Sequence, residues 1–343
     1  MKNYIRLSVS MLILCCMAAC SKVTVLDSSE NSGIYTVKLG WDGDILEVLE
    51  EPMSRANDEN DLYGIQVYST PNKEDNVGSN VTWTPFAYGL FDQGKDISIN
   101  LLKGYRYKFV ATMVVDGKTK IQTGTKDGKT AYYAPFVSDG RYTTINNQFD
   151  YQSSIYFGGL ASGNTFIKNP SGIYSISNTE RFYGEYIDYI PGLKNNERVM
   201  IKMKTASFQA TFHAKGKLAK EGQLEVQITN APKILIDLTN TEKSHSDIYT
   251  FKNVKAASEN NTYTETLDVT INWHKPDGTI FPLGTHEITY KTNKNKVLNI
   301  TINTDSSPNG IGLEIEDSEI TDDEEEITIE DGEIVETEID TNA

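Results

Sequence analysis

The 343-residue chain has three cysteines, Cys15, Cys16 and Cys20, all within its first twenty positions. No pair beyond that point can form a disulfide, so the rest of the chain must be held together by burial and hydrogen bonding alone. Histidine is nearly as scarce. His213, His245, His274 and His286 are scattered, with no second histidine or cysteine at ligand spacing, so zinc binding is not expected. A nucleophile elbow, a Walker loop and a dinucleotide fingerprint are all missing, and the expectation is a protein that is not an enzyme and takes no cofactor. Carboxylate pairs are plentiful, but this composition supplies them by chance, and glycoside hydrolysis needs two set across a cleft. Neither Asp42-Gly43-Asp44 nor Asn57 to Asp61 matches the twelve-residue calcium loop, so no metal is expected.

A basic surplus is missing too. The net charge is −16, and fifteen of the acidic residues lie between Glu314 and Asp340, a stretch with no Lys or Arg. Setting those fifteen aside leaves −1 for everything else, so there is no basic face to attract nucleic acid. Like-charge repulsion in this tail favours a flexible chain, with disorder expected beyond about Thr321. Ile315, Ile320, Ile327, Ile329, Ile334 and Val335 are interspersed among its acids, so parts of it can pair as strands if a partner shields the charge.

At the N-terminus Lys2 and Arg6 precede an apolar run, Leu7 to Ala19, too short to span a bilayer and of signal-peptide proportions. It ends in Met17-Ala18-Ala19-Cys20-Ser21, which resembles the lipobox of bacterial lipoproteins. The resemblance implies that residues 1–19 are a removed signal peptide, and that Cys20 becomes the first mature residue and carries the lipid, with palmitate-type acyl chains. The lipid would hold the protein to a membrane.

From there the apolar pattern has period two, in Tyr, Val, Ile, Thr and Phe, which is strand chemistry. In Ile34 to Trp41 the residues Tyr35, Val37, Leu39 and Trp41 share one face of a strand. Further strands are expected at Tyr63–Ser69, Ile97–Leu101, Tyr105–Val115, Thr119–Thr125, Val199–Met203, Phe208–Ala214, Gln223–Thr229, Leu267–Trp273, Glu287–Tyr290 and Val297–Ile302. Asp116-Gly117, Asp127-Gly128 and Asp277-Gly278 are turn signals, the first of them predicting a hairpin between Val115 and Thr119. Strands without intervening helices predict an all-β protein of two tandem antiparallel β-sandwich domains. The expected organisation is a linker at 20–32, an N-terminal sandwich at 33–138, a C-terminal sandwich at 139–305 and the acidic tail at 306–343. The stretch from Tyr142 to Asn196 is the least regular. Its tyrosines, 151, 156, 174, 183, 186 and 189, are read first as strand residues with buried rings and second as a ligand contact.

The order of lipobox Cys20, the strand around Tyr35 to Trp41, Ser54-Arg55-Ala56 among acidic residues, and the strand Leu62 to Tyr68 resembles the fimbrillin-like lipoproteins of Bacteroides and their relatives, a family of pilin and anchor subunits. Ile288 to Asn293 followed by Val297 to Ile302 is similar to the close of their second domain. The resemblance implies transthyretin-like sandwiches and a fimbrial or surface-adhesion subunit in the outer membrane. Its expected partners are other fimbrial subunits or host and bacterial surface ligands. In that family an arginine-specific protease can cut after the first strand, and Arg55 matches that position. Removing Tyr35 to Trp41 would leave an open groove, which an extended segment of a neighbour can fill. The alternative is a surface glycan-binding lipoprotein that does not polymerise and uses an exposed ring such as Trp83 or Trp273.

Overall fold

The computed structural model describes residues 33–44, 58–73, 81–137, 141–151, 157–168, 172–192, 198–216 and 221–302, together with the backbone of 311–319. In chain order the first half forms β1 (Ile34–Asp42), β2 (Leu62–Pro71), β3 (Thr84–Phe91), β4 (Ser98–Leu102) and β5 (Tyr105–Val114). A short helix α1 (Gly117–Lys120) and five small strands follow, namely β6 (Thr123–Lys126), β7 (Lys129–Tyr132), β8 (Thr143–Thr144), β9 (Thr165–Ile167) and β10 (Gly172–Tyr174). Then come β11 (Arg181–Tyr189), β12 (Arg198–Lys202) and β13 (Lys204–Thr205).

The second half forms β14 (Ser207–Lys215), β15 (Gln223–Ile228), β16 (Ile234–Asp237), β17 (Ser244–Thr250), a helix α2 (Val254–Glu259), β18 (Thr264–His274), β19 (Ile280–Lys291), β20 (Lys294–Ile302) and β21 (Ile311–Glu319). The protein is all-β, built as two sandwiches in tandem. The first packs a sheet of order β12-β1-β4 on one of order β13-β11-β5-β2-β3, and the second packs β17-β14-β20-β21 on β16-β15-β18-β19.

Without β13 and β21 the two sandwiches superpose in strand order. β1 corresponds to β14, β2 to β15, β3 to β16, β4 to β17, β5 to β18, β11 to β19 and β12 to β20. Each contains one parallel pair, β1 with β12 and β14 with β20, where the first strand meets a strand from the far end of its domain. All other pairings are antiparallel.

This pairing corrects the expected division at 138/139. β11 and β12 lie beyond it in sequence, yet β11 adds to β5 and β12 to β1, so sheet pairing divides the chain at the short step from Thr205 to Ser207. The irregular stretch that obscured this is a long insertion between β5 and β11. It lays Phe136, Phe157 and Leu160 against the face of the five-stranded sheet turned away from the sandwich interior. Covered on both faces, β2 and β5 are buried almost throughout and lose the alternation of a half-wet strand. Gln66, inside β2, ties the insertion down by accepting from Phe157 N–H (2.8 Å) and donating to Ala87 O (3.1 Å).

One other expectation changes. Asp116-Gly117 does not turn a hairpin, because both edges of β5 are already taken by β2 and β11; Asp116, at φ 53°, instead caps α1. Asp127-Gly128 does make the tight turn, both residues at positive φ, between β6 and β7. The acidic tail also begins as structure, since Ile311–Glu319 pairs antiparallel along the whole of β20. Its register sets Glu319 opposite Lys294 and Asp317 opposite Lys296.

Candidate functional site: the first strand and its slot

β1 is a central strand, hydrogen-bonded to β4 on one side and β12 on the other. Its alternation decides what faces in. Val37, Leu39 and Trp41 are buried against Ile99, Leu101, Val199 and Ile201 from its own sheet and Tyr63, Phe109 and Met113 from the facing one, while Tyr35 is half-buried at the rim. Burial of the three contributes roughly 1.5–3 kcal/mol each. Trp41 stacks on Tyr63 with ring centroids 5.8 Å apart and donates from Nε1–H to Gly94 O at 2.6 Å. Tyr35 lies over Gly192, where a Cβ would come within 2.8 Å of its ring.

The slot ends are fastened by backbone bonds. Lys103 N–H donates to Gly33 O (2.7 Å) at one end, and Met203 N–H donates to Asp42 O (2.7 Å) at the other. The neighbouring β4 is in turn hooked by Tyr107, whose ring is fully buried and whose hydroxyl accepts from Leu102 N–H (2.7 Å) and donates to Leu102 O (3.2 Å). Burial pushes the Tyr107 hydroxyl up to about 12, so it stays a neutral donor at any ordinary pH.

Where the sandwiches meet, two buried polar groups do the fastening. Arg181 is fully buried and donates to Ser162 O (2.6 Å), Leu160 O (2.8 Å) and Thr112 Oγ1 (3.3 Å), holding the insertion to β5; burial lowers its pKa to about 9. Glu185, on β11, takes Lys108 from β5 (2.8 Å) and Lys255 from α2 (2.8 Å), with the Tyr183 hydroxyl donating to it at 2.5 Å. Burial raises the Glu185 pKa, but these partners outweigh it and hold the carboxyl below its ordinary value of 4.5.

The sequence-derived sites fall into two groups. Tyr35, Val37, Leu39 and Trp41 come together in the slot, while Cys20 and Arg55 lie outside the described residues, Arg55 between the end of β1 and the start of β2. The residues that form the slot walls, Val199 and Ile201, have a strand signal of their own; what the sequence withheld was that they belong to the first sandwich. Of the tryptophans proposed as open rings, Trp273 is buried, and Trp83 is half-buried. Tyr183 is buried, whereas Tyr151 and Tyr186 are exposed. Among the described residues no group of three or more His, Cys, Asp and Glu is placed to hold a metal ion, and no helix is long and apolar enough to cross a membrane.

The molecule is thus a double β-sandwich whose first described strand is a central piece of the first core. No family model matches the chain, and no curated protein matches it. Among solved structures it is similar to the tip fimbrial protein Mfa3 of Porphyromonas gingivalis, at 7% identity and TM-score 0.32 over 83% of this chain and 98% of that one. It is similar to the fimbrial anchor protein Mfa2 of the same organism, at 11% identity and TM-score 0.33 over 83% and 96%. A candidate cell adhesion protein of Bacteroides eggerthii matches at 11% identity and TM-score 0.37 over 84% and 95%. At these identities and scores the likenesses carry no argument about what this chain does.

Proposed function

We propose that the protein is a fimbrial or cell-surface adhesion subunit, non-catalytic, exported to the outer membrane as a lipoprotein through Cys20. The observation that carries this reading is the position of β1. It is the first strand of the described chain, it is central in its sheet, and it is joined to β2 by a segment containing Arg55. Cutting after Arg55 would leave β1 attached only by hydrogen bonds and burial. Its departure would open β4 and β12 to one another across a missing strand, with Ile99, Leu101, Val199 and Ile201 uncovered. An extended segment of a neighbouring subunit then restores both ladders.

A second reading, a non-polymerising glycan binder, draws on a shallow cleft of about 390 Å³ lined by uncharged side chains, among them Asn164, Tyr174, Ser175, Gln227 and Asn230. Mass spectrometry and native-size analysis of the outer-membrane protein, before and after an Arg-specific protease, separates the two. A lipidated Cys20 terminus converting to one at Ala56, with new higher-order assemblies, is the expected result. A chain that keeps Cys20, resists cutting and stays a monomer would overturn the subunit reading and leave the glycan binder.

A further inference from the structure

The strand-by-strand match of the two sandwiches leaves one position unequal. β20 has β14 on one side and β21 on the other, but its counterpart β12 has only β1. Among the described residues nothing hydrogen-bonds to the outer edge of β12. At Lys202 that edge is met by β11, which comes close because Gly184 has no side chain, so the open stretch is Arg198 to Ile201. Met200 on this stretch is exposed, and so is Ile187 on β11; Ile187 and Lys202 share the lining of a cleft of about 250 Å³, with Glu259 at its rim. Open edges of this kind are normally covered or charged.

We infer that the chain's own acidic tail covers this edge, adding residues 327–330 antiparallel to Arg198–Ile201 of β12. Three observations support this occupant. First, the C-terminal sandwich already uses the device, since β21 comes from the same tail and its acids pair in register with the lysines of β20. Second, the sequence complements β12 position by position. With Thr328 opposite Met200, the tail sets Ile327 and Ile329 beside the buried Ile201 and Val199, and Glu326 and Glu330 beside the exposed Lys202 and Arg198. Lys38, exposed on the adjacent β1, adds a further positive charge. Third, the chain leaves β21 in the right place. Glu319 pairs with Lys294; the residue before that, Asn293, donates to Ser207 O (2.9 Å), and β12 ends five residues before Ser207. The seven residues from Glu319 to Glu326 reach at most about 25 Å, enough to pass from one sandwich to the other at their junction.

The consequence is a sheet edge closed in cis, with β1 still in place and no cleavage required. The test uses the full chain with Cys15, Cys16 and Cys20 changed to Ser and the pair Met200→Cys and Thr328→Cys introduced, since directly opposed strand positions suit a disulfide. A monomeric cross-linked product is expected, with none from Met200→Cys paired with Asp323→Cys. Cross-linking only between chains, or equally from both pairs, would overturn the inference. Hydrogen exchange supplies the independent readout. The outward amides of β12 are expected to exchange at least tenfold faster when residues 320–343 are deleted, or when Arg198→Glu and Lys202→Glu are combined. Adding Glu326→Lys and Glu330→Lys to the charge-reversed strand is expected to restore protection. Unchanged exchange on deletion would overturn the inference even if the chain stays fully folded.

Discussion

β1 and β14 occupy the same place in the same topology, each between an antiparallel neighbour and a parallel one, yet they are held in different ways. β14 is joined directly through Ala206 to β13, the last strand of the first sandwich. Ala206, immediately before it, is buried and donates to Arg181 O, and β14 buries Phe208, Ala210, Phe212 and Ala214. β1 buries a similar apolar row, but no described element precedes it. The two strands are thus packed alike, and what distinguishes β14 is its direct chain link to β13.

That contrast can be broken most severely by cutting after Arg55 and stripping β1 away. At roughly 1.5–3 kcal/mol for each of three buried side chains, the first sandwich is expected to lose about 5 kcal/mol or more. Calorimetry should show its transition collapsing while that of the second sandwich persists. Phe208→Ala is the mirror experiment, because Phe208 packs on Tyr249, Phe251 and Tyr290 in the second core. It is expected to cost about 3–5 kcal/mol and to leave exchange protection in β1 untouched.

A smaller effect is expected at the junction. Glu185→Gln keeps the shape but removes the charge facing Lys108 and Lys255, for a loss of about 1–3 kcal/mol and weaker coupling between the two unfolding transitions. The pH dependence follows from its sign. A carboxyl held below its ordinary value of 4.5 in the folded state contributes fully above that value, and the contribution fades as pH falls through the depressed folded value. Denaturant midpoints in the wild type should therefore drop on the acid side of 4.5 more than those of the Gln variant. The mildest change is Tyr107→Phe, which removes the hook on β4 for about 0.5–1.5 kcal/mol, readable as faster amide exchange at Leu102.

Where a strand is wet on one face, its alternation was legible. Tyr35 to Trp41 and Val199 to Met203 sit within a residue or so of β1 and β12, the runs at β14 and β15 lie as close, and β20 begins three residues before the expected Val297. β3 escaped because Pro85, Gly89 and the apolar run to Phe91 blur the period, and β11 because Tyr142 to Asn196 reads as loop chemistry until its partner β5 is known. Sheet partners are the deeper obstacle. β12 carries no local sign that its neighbour lies near the start of the chain, so the boundary was set too early, and with it the membership of the slot. The start of the tail, which the sequence allowed to pair as a strand, does so along β20.

The pairing of β1 with β12 also orders events in time. Lys38 meets Arg198, 160 positions later, whereas Gln209 on β14 meets Asn295 after 86. Contacts this distant form late, because a long loop must close before they stabilise anything. In a chain delivered N-terminus first, β1 arrives before every other strand of its sandwich, yet its second ladder stays open until β12 has followed. The strand that arrives first is thus among the last to be locked, and throughout that interval its slot has one wall.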